Sequence, residues 1–288
     1  MHLRKIAVGL SALVLLSTGV QARGLLDLIK LPAPEHASRS GSISQHAALD
    51  LYSSKEKQPS FDGCVDLFPG ATPINTATVP ATMKPLALCS DNFAVLYSQT
   101  SKTPLVVVER LNAAQLKDAK GEERTNQFYP DPRIPKGARA ELSDYRGQQP
   151  AVDRGHQSPA ADAPNANAMA QSFALSNMVP QDPTNNRKIW SKVEADVRKF
   201  AVRAGGDVFV FTGPLFDAGY STVGDNKVWV PTRLFKLVYD ASSKRAWAYV
   251  LPNAETRIQK PMDYDTFVKS TGLKLLGNLP VTGSVGRT

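Results

Sequence analysis

Cysteine and histidine are both scarce in this sequence. Its 288 residues include two cysteines, Cys64 and Cys89, and four histidines. A structural zinc site takes its ligands mainly from these two residue types, so this supply argues against one. His156 is the only histidine in the second half of the chain, and it ends the stretch Asp153-Arg154-Gly155-His156. That stretch is therefore the first candidate for a functional site.

Charged residues are also limited in number. They make up 21% of the chain against 42% hydrophobic residues, which excludes a disordered protein and allows a sizeable core in one large domain or two small ones. The formal net charge is +8. A basic protein suits a polyanionic partner such as a nucleic acid, although charge alone does not establish one.

The N-terminal segment has the features of a secretory signal peptide. His2, Arg4 and Lys5 precede an apolar run over residues 6–20, and small residues near Ala22 suit a signal peptidase. The run is shorter than the roughly 20 residues of a spanning helix, which disfavours the alternative of a retained membrane anchor. We expect residues 1–22 to be removed, which takes away Arg4 and Lys5 and lowers the net charge from +8 to +6. The mature protein is then secreted or periplasmic, without stable membrane association.

Export also bears on the cysteines and on the domain boundaries. Oxidising compartments favour disulfides, so Cys64 and Cys89 are expected to pair. Residues 23–60 carry prolines, serines and mixed charges with weak periodicity, which indicates an N-terminal tether or peripheral segment. The compact domain is predicted to start near Phe61 and to cover residues 61–288.

Short apolar runs bounded by Gly, Pro, Asn or Asp indicate the strands of a central sheet. They cover residues 93–98, 104–109, 207–212, 227–231, 234–239 and 246–251. The clearest helical pattern runs from Asn185 to Ala204, with Thr184 or Asn185 as the predicted N-cap, and a second helix is predicted near residues 261–271. Because helices interrupt the strands irregularly, the fold class is α+β.

Four blocks of sequence occur in a fixed order. Asp153-Arg154-Gly155-His156 is followed by Ser176-Asn177 with Pro180-Gln181, then by Asn186, Trp190 and Glu194, and then by the segments 210–216, 228–239 and 248–253. Together they resemble the DNA/RNA non-specific endonucleases of the ββα-metal superfamily, over roughly residues 104–253. The resemblance implies a central, mostly antiparallel sheet with flanking helices and a ββα-metal active-site motif.

The resemblance also implies a set of roles. Phosphodiester hydrolysis needs a base for the attacking water and positive charge at the phosphate. His156 corresponds to the general base, and Asn186 to the one direct protein ligand of a hydrated Mg²⁺, for which Mn²⁺ is a substitute. An amide oxygen is a hard ligand, and Mg²⁺ usually keeps several waters. Glu194 lies eight residues after Asn186, about 12 Å along a helix, so it is expected to act through metal-bound water.

Arginines complete the expected site. Arg154 is predicted to bind a phosphate oxygen in bidentate fashion. The family also has an upstream arginine, for which we choose Arg124, while Arg133 and Arg139 stay open. Arg233 is interpreted either as a substrate contact or as a charge at the sheet edge.

The individual residues also have structural interpretations. Asn186 is of a type common at helix starts, Glu194 could be an exposed helix acid, Asp153 is more suited to orienting an arginine or the backbone than to binding metal, and Trp190 fits a core position.

The sequence thus predicts an exported Mg²⁺-dependent endonuclease for DNA and RNA. The alternatives are an inactive exported nucleic-acid-binding protein and a metal-dependent phosphodiesterase for small substrates. A homodimer and an inhibitor protein as a partner are left open, since relatives are often dimers but no interface signature is present.

Overall fold

The structure is a computed structural model that describes residues 43–284. The predicted signal peptide, residues 1–22, and the first part of the predicted tether lie outside these residues. The described strands and helices are, in chain order, α1 (Gln45–Asp50), β1 (Pro85–Cys89), β2 (Phe93–Ser98), β3 (Thr103–Leu111), α2 (Ala113–Asp118), β4 (Asp153–His156), α3 (Ala166–Ser172), β5 (Met178–Gln181), α4 (Ser191–Arg203), β6 (Val208–Leu215), β7 (Thr222–Val223), β8 (Val228–Trp229), β9 (Arg233–Asp240), β10 (Arg245–Pro252), β11 (Met262–Asp263) and α5 (Tyr264–Thr271).

A seven-stranded sheet forms the centre of the domain. Its strand order is β1-β2-β3-β6-β9-β10-β11, and each neighbouring pair is antiparallel. Two small two-stranded sheets, β4-β5 and β7-β8, stand beside it. The predicted α+β class with a mostly antiparallel sheet is confirmed, and the second predicted helix is found as α5.

One predicted strand does not belong to the central sheet. The run 227–231 contributes only the two residues of β8, which pair with β7. Its Trp229 N–H donates instead to the carbonyl of Ser101 at 3.0 Å, and two residues later Pro231 has no N–H to offer a ladder.

The packed domain starts earlier than the boundary predicted near Phe61. Ala48 and Tyr52 are almost fully buried. The Tyr52 hydroxyl lies 2.9 Å from that of Tyr129, and the guanidinium of Arg133 lies over the Tyr52 ring. The sequence signal was weak because only these few side chains of a polar segment make buried contacts.

The two faces of the central sheet have different partners. In β9 the odd-numbered Phe235 and Leu237 pack into the core that contains Phe61, Cys64, Cys89 and Phe267. Cys64 and Cys89 form the expected disulfide on this side. Even-numbered residues of β9 point to the other face, since Val238 clusters with Val197 of α4. The helix α4 and the β4-β5 pair therefore lie on the face opposite the disulfide.

Within residues 43–284, every helix is too short or too polar to cross a membrane.

Candidate active site

The Asp153–His156 stretch forms β4, which pairs antiparallel with β5 so that Asp153 lies opposite Gln181 and His156 opposite Met178. Glycine is required between Arg154 and His156, because a Cβ at Gly155 would lie 2.7 Å from the Cβ of Gln181. Real Cβ atoms do not approach each other this closely, so Gly155 lets the Gln181 side chain cross over β4.

Asn177 holds together the two chain segments at one end of this strand pair. It is fully buried, and its amide oxygen accepts from the Ser158 N–H at 2.9 Å. Its amide nitrogen donates to the carbonyls of Ser158 and Ser172, both at 2.9 Å. The Ser176-Asn177 block therefore holds the chain that leaves His156 against the turn that enters β5.

His156 packs against two aromatic rings, which also contact each other. Its ring centroid is 5.0 Å from that of Phe173 and 5.6 Å from that of Phe128. The Nε2 atom is covered from solvent and has no hydrogen-bond partner. Burial lowers the pKa of His156 to about 3, with further lowering by the charges of Arg124 and Arg154. The imidazole is consequently neutral at neutral pH.

Two arginines flank this aromatic group. The guanidinium carbon of Arg154 lies 4.0 Å from the ring centroid of Phe128, and that of Arg124 lies 4.9 Å from the centroid of Phe173. Arg124 Nε also donates to Asn126 Oδ1 at 2.8 Å. The structure thus brings both arginines close to His156, each over one of the two rings that His156 contacts.

The other two candidates for the upstream arginine have structural contacts. Arg133 is buried, forms an ion pair with Asp131 at 2.6 Å and donates to the carbonyl of Cys89. Arg139 is buried as well and pairs with Glu141 at 3.0 Å. Of the three, only Arg124 is among the charges that act on His156.

Asn186 lies in a helical segment that begins at residue 183, before the predicted N-cap positions. The Asp182 carboxylate accepts from the Asn185 N–H at 2.7 Å, whereas Thr184 is already helical and makes no side-chain cap. The cause is Pro183, which suits the first helical position because it has no N–H to satisfy. Residues Asn185–Trp190 form π-helical turns before α4 begins. Such turns are frequent at functional sites and rotate the residues they contain relative to the following helix.

Asp153 orients the side chain of Asn186. The Asn186 Nδ2 atom donates to Asp153 Oδ2 at 2.9 Å, and Arg187 binds the same carboxylate at 2.8 and 2.6 Å. A carboxylate only accepts hydrogen bonds, so the amide nitrogen of Asn186 must face Asp153. This leaves the Asn186 oxygen to face the opposite direction.

Glu194 is half-buried on α4, at the edge of a buried polar cluster. Burial raises its pKa to about 7, an effect that Asp162 strengthens and Lys236 opposes. Arg198, one turn further along α4, pairs with Asp162 at 3.0 Å. Glu194 therefore does not behave as an ordinary exposed helix acid.

Two further titratable groups of the cluster lie on the central sheet. Glu109 of β3 accepts from the Ser158 hydroxyl at 2.9 Å, and burial raises its pKa to about 8. Lys236 of β9 is buried and donates to Thr212 Oγ1 at 2.6 Å.

Sequence reasoning missed Glu109, Asp162, Arg198 and Lys236. Arg198 could have been found from its i+4 spacing to Glu194. Lys236 stands inside an apolar run, where a buried charge signals a partner.

Two predictions on single residues have different outcomes. Trp190 is fully buried among Val179, Val193 and Leu234, as predicted. Arg233 forms a two-bond pair with Asp217 at 2.8 and 2.6 Å, which favours a structural charge over a substrate contact. It lies at the start of the interior strand β9 and not at the predicted sheet edge.

The donor set was compared with the metal that the resemblance implies. No group of three or more His, Cys, Asp or Glu side chains within residues 43–284 is arranged to hold a metal ion. The amide oxygen of Asn186 and the Glu194 carboxylate are oxygen ligands of the kind that Mg²⁺ takes while keeping most of its waters. The residues therefore fit a hydrated cation rather than an ion enclosed by protein ligands.

Comparison with known proteins gives the family. A sequence profile of the DNA/RNA non-specific endonucleases matches residues 70–281, and the chain belongs to this family. It is 32% identical over 209 residues to "Nuclease 1, mitochondrial" of Schizosaccharomyces pombe, covering 64% of each chain. It is 36% identical over 186 residues to "Nuclease EXOG, mitochondrial" of Danio rerio, covering 58% of this chain and 52% of the relative.

Solved structures agree with the sequence comparison. A crystal structure of the EndoG/EndoGI complex matches with a TM-score of 0.62 and 26% identity, covering 70% of this chain and 91% of the other. The chain spans about half to two thirds of the length of the two curated relatives.

Proposed function

We propose that this protein is a Mg²⁺-dependent, sugar non-specific endonuclease that hydrolyses phosphodiester bonds in DNA and RNA. The observation that carries the proposal is a neutral, covered His156 close to two arginines, on the strand whose Asp153 orients Asn186. Membership of the non-specific endonuclease family supports the same reaction.

His156 is the proposed general base. Its low pKa keeps the acceptor nitrogen free of a proton at neutral pH. Burial is the main cause of this low pKa, and the charges of Arg124 and Arg154 add to it. A phosphate bound to the two arginines would neutralise that added effect, so the basicity of the imidazole rises when substrate is present. Arg154 and Arg124 are the proposed substrate-binding groups, because guanidinium groups bind phosphate oxygens well.

Asn186 and Glu194 are the proposed metal-holding residues, Asn186 directly and Glu194 through water. Mg²⁺, or Mn²⁺ as a substitute, supplies positive charge to the scissile phosphate and the leaving oxygen when bound. Asp153 keeps the Asn186 oxygen turned away from its own carboxylate, which preserves the ligand atom for the cation.

The proposed range of substrates follows from binding through the phosphate groups. Phosphate contacts carry no base information, so cleavage is expected at many sequences and in both nucleic acids. Arg233 is not included among the substrate contacts, since its charge is paired with Asp217.

Export is part of the proposal. It is supported by the sequence of residues 1–22 and by the Cys64–Cys89 disulfide, which suits an oxidising compartment. The exported protein is expected to begin at Arg23, and N-terminal sequencing that finds Met1 would contradict this.

The deciding experiment measures the nicking of supercoiled plasmid and the cleavage of RNA across a Mg²⁺ titration, with chelator as the blank. His156→Ala should lower turnover by about 10²–10⁴-fold with nucleic-acid binding retained. Asn186→Ala should instead shift the Mg²⁺ dependence to higher concentrations. His46→Ala, which removes an exposed histidine from α1, is the matched control and should cut normally.

Three results would speak against the proposal. A folded His156→Ala variant that cuts at the wild-type rate refutes the general base. An unchanged Mg²⁺ dependence in Asn186→Ala refutes the ligand. Nucleic-acid binding without any cleavage by the wild-type protein would favour the inactive binding protein.

A further inference from the structure

A cavity of about 660 Å³ opens beside the candidate active site. It lies between α2, α4 and the short turn at residues 160–161, and Arg124 and Arg198 are part of its wall. Its volume is within the range of sites that hold small organic groups. The cavity is separate from the aromatic group around His156 but shares Arg124 with it.

The inner wall of this cavity is apolar. Leu116 of α2 and Met169 of α3 are nearly buried and form part of the wall with Ala160 and Ala161. Val202 of α4 also lines it and is 52% exposed, which is unusual for a large aliphatic side chain in this protein. An exposed apolar wall of this kind loses contact with water when an apolar group enters.

The rest of the wall is strongly basic. Lys120, Lys199 and Arg203 join Arg124 and Arg198, against the single acid Glu122 among the described residues that line the cavity. Arg198 is paired with Asp162, and Lys199 forms an exposed pair with Asp196 at 3.3 Å. An apolar wall with cationic neighbours is complementary to a base attached to a phosphate backbone.

The position of the cavity connects it to the reaction. Arg124 lies over Phe173, whose ring in turn packs against His156, and the charges of Arg124 and Arg198 both act on Glu194. A strand with its scissile phosphate near His156 would therefore reach the cavity with an adjacent nucleotide.

We propose that this cavity is a nucleoside subsite, which takes one unstacked base of the substrate strand while its cationic residues bind the neighbouring phosphate. The proposal rests on the proposed nuclease function. A base must leave its stack to enter, and unstacking is least costly in single strands and in locally opened duplexes. The subsite therefore makes the enzyme prefer such substrates over intact duplex.

The test uses single-stranded 12-nucleotide substrates, with one abasic position moved along the strand. For the wild-type protein, one position near the cut should lower kcat/KM about tenfold, on the scale of one base contact. Val202→Glu should lower kcat/KM on the intact strand by a similar factor and abolish the effect of the abasic position. Val65→Glu places the same charge at another exposed aliphatic residue and should match the wild type.

Two additional measurements separate the possible failures. All three proteins should cleave bis(p-nitrophenyl) phosphate equally, since this small diester does not reach the cavity. Strand binding should be measured by fluorescence anisotropy in chelator. The abasic position that lowers kcat/KM should also weaken binding to the wild type, and Val202→Glu should weaken binding to the intact strand.

Equal effects of all abasic positions, or an unaltered effect in Val202→Glu, overturn the subsite alone. Failure of the wild-type protein to cleave any of these substrates with Mg²⁺ overturns the proposed function, while the binding data still decide the subsite.

Discussion

At the scale of single residues, the site depends on titratable groups that the fold keeps away from water. Glu109 and Lys236 point from the central sheet towards α4, on the face that carries Glu194 and Arg198. A buried charge without a partner would be costly. The raised pKa of Glu109 avoids this cost, because it keeps the carboxyl protonated at neutral pH, and Lys236 donates to Thr212. His156 also stays neutral, because burial lowers its pKa and the charges of Arg124 and Arg154 lower it further.

The buried Glu109 carboxyl predicts a pH dependence of stability. Its pKa is raised from its ordinary 4.5 to about 8, so between these values the folded protein binds a proton that the unfolded chain does not. The stabilisation is complete below pH 4.5 and is lost as the pH rises through 8. Between pH 7 and 9 His156 is neutral in the folded and the unfolded protein. Over this range the free energy of unfolding of the wild type should decline by an amount on the order of 1 kcal/mol that Glu109→Gln removes.

Urea unfolding at pH 7 and pH 9 measures this difference. Glu123→Gln, which changes an exposed acid on the surface, should retain the wild-type decline. A Glu109→Gln variant whose free energy of unfolding falls as steeply as that of the wild type would show that this carboxyl is already charged at pH 7.

At the scale of elements, the sequence predicted the strands whose burial produces a regular apolar pattern. The strands of the central sheet appear as apolar runs because both of their faces are covered. β4 escaped this pattern, since Asp153 and Arg154 are polar residues whose positions depend on β5 and on the helix that begins near Asp182. The motif resemblance identified these residues, but periodicity could not show that they form a strand.

The upstream arginine could not be assigned from the sequence either, because its position also depends on tertiary contacts. Arg124, Arg133 and Arg139 lie within 16 positions of one another, and all follow a helix that ends near Asp118. Only tertiary contacts separate them, because Asp131 and Glu141 engage two of the three. Local sequence does not show that Arg124 packs against the distant Phe173.

The β4-β5 pair leads to a prediction about Gly155. Gly155→Ala would push a methyl group into the Gln181 side chain, so the strands must separate and shift both Asp153 and His156. We expect a loss of at least 1–3 kcal/mol of stability, as for overpacked cores, together with a fall in cleavage rate. Thermal melts and plasmid nicking measure the two effects.

Gly205→Ala provides the comparison. A Cβ there would meet only the Ser242 hydroxyl, at 3.7 Å, so stability and activity should stay near the wild type. Wild-type melting and nicking by Gly155→Ala would mean that Gln181 moves aside freely and that the glycine has no role in the site.

At the scale of the whole molecule, the central sheet separates two tasks. One face carries α4, β4-β5 and the candidate active site, and the other carries the core beneath the disulfide. Strand alternation makes this possible, because neighbouring residues such as Phe235 and Lys236 serve opposite faces. Stability can then be lost on one face with little effect on the chemistry of the other.

The disulfide tests this separation. Cys64 and Cys89 are 25 residues apart and close a loop of short helical turns and prolines over the face opposite the active site. In the chain-entropy model such a closure contributes about 3 kcal/mol. The double variant Cys64→Ser, Cys89→Ser should therefore melt about 5–10 °C lower than the oxidised protein, given the size of the domain.

The wild-type protein in reducing agent should melt at the same temperature as the variant. Both should retain the plasmid nicking rate of the oxidised protein at 25 °C. A variant that stays folded at this temperature but cuts much more slowly would show that the two faces are coupled, through the contact of Arg133 with the Cys89 carbonyl and its pairing with Asp131, which Ser176 also binds.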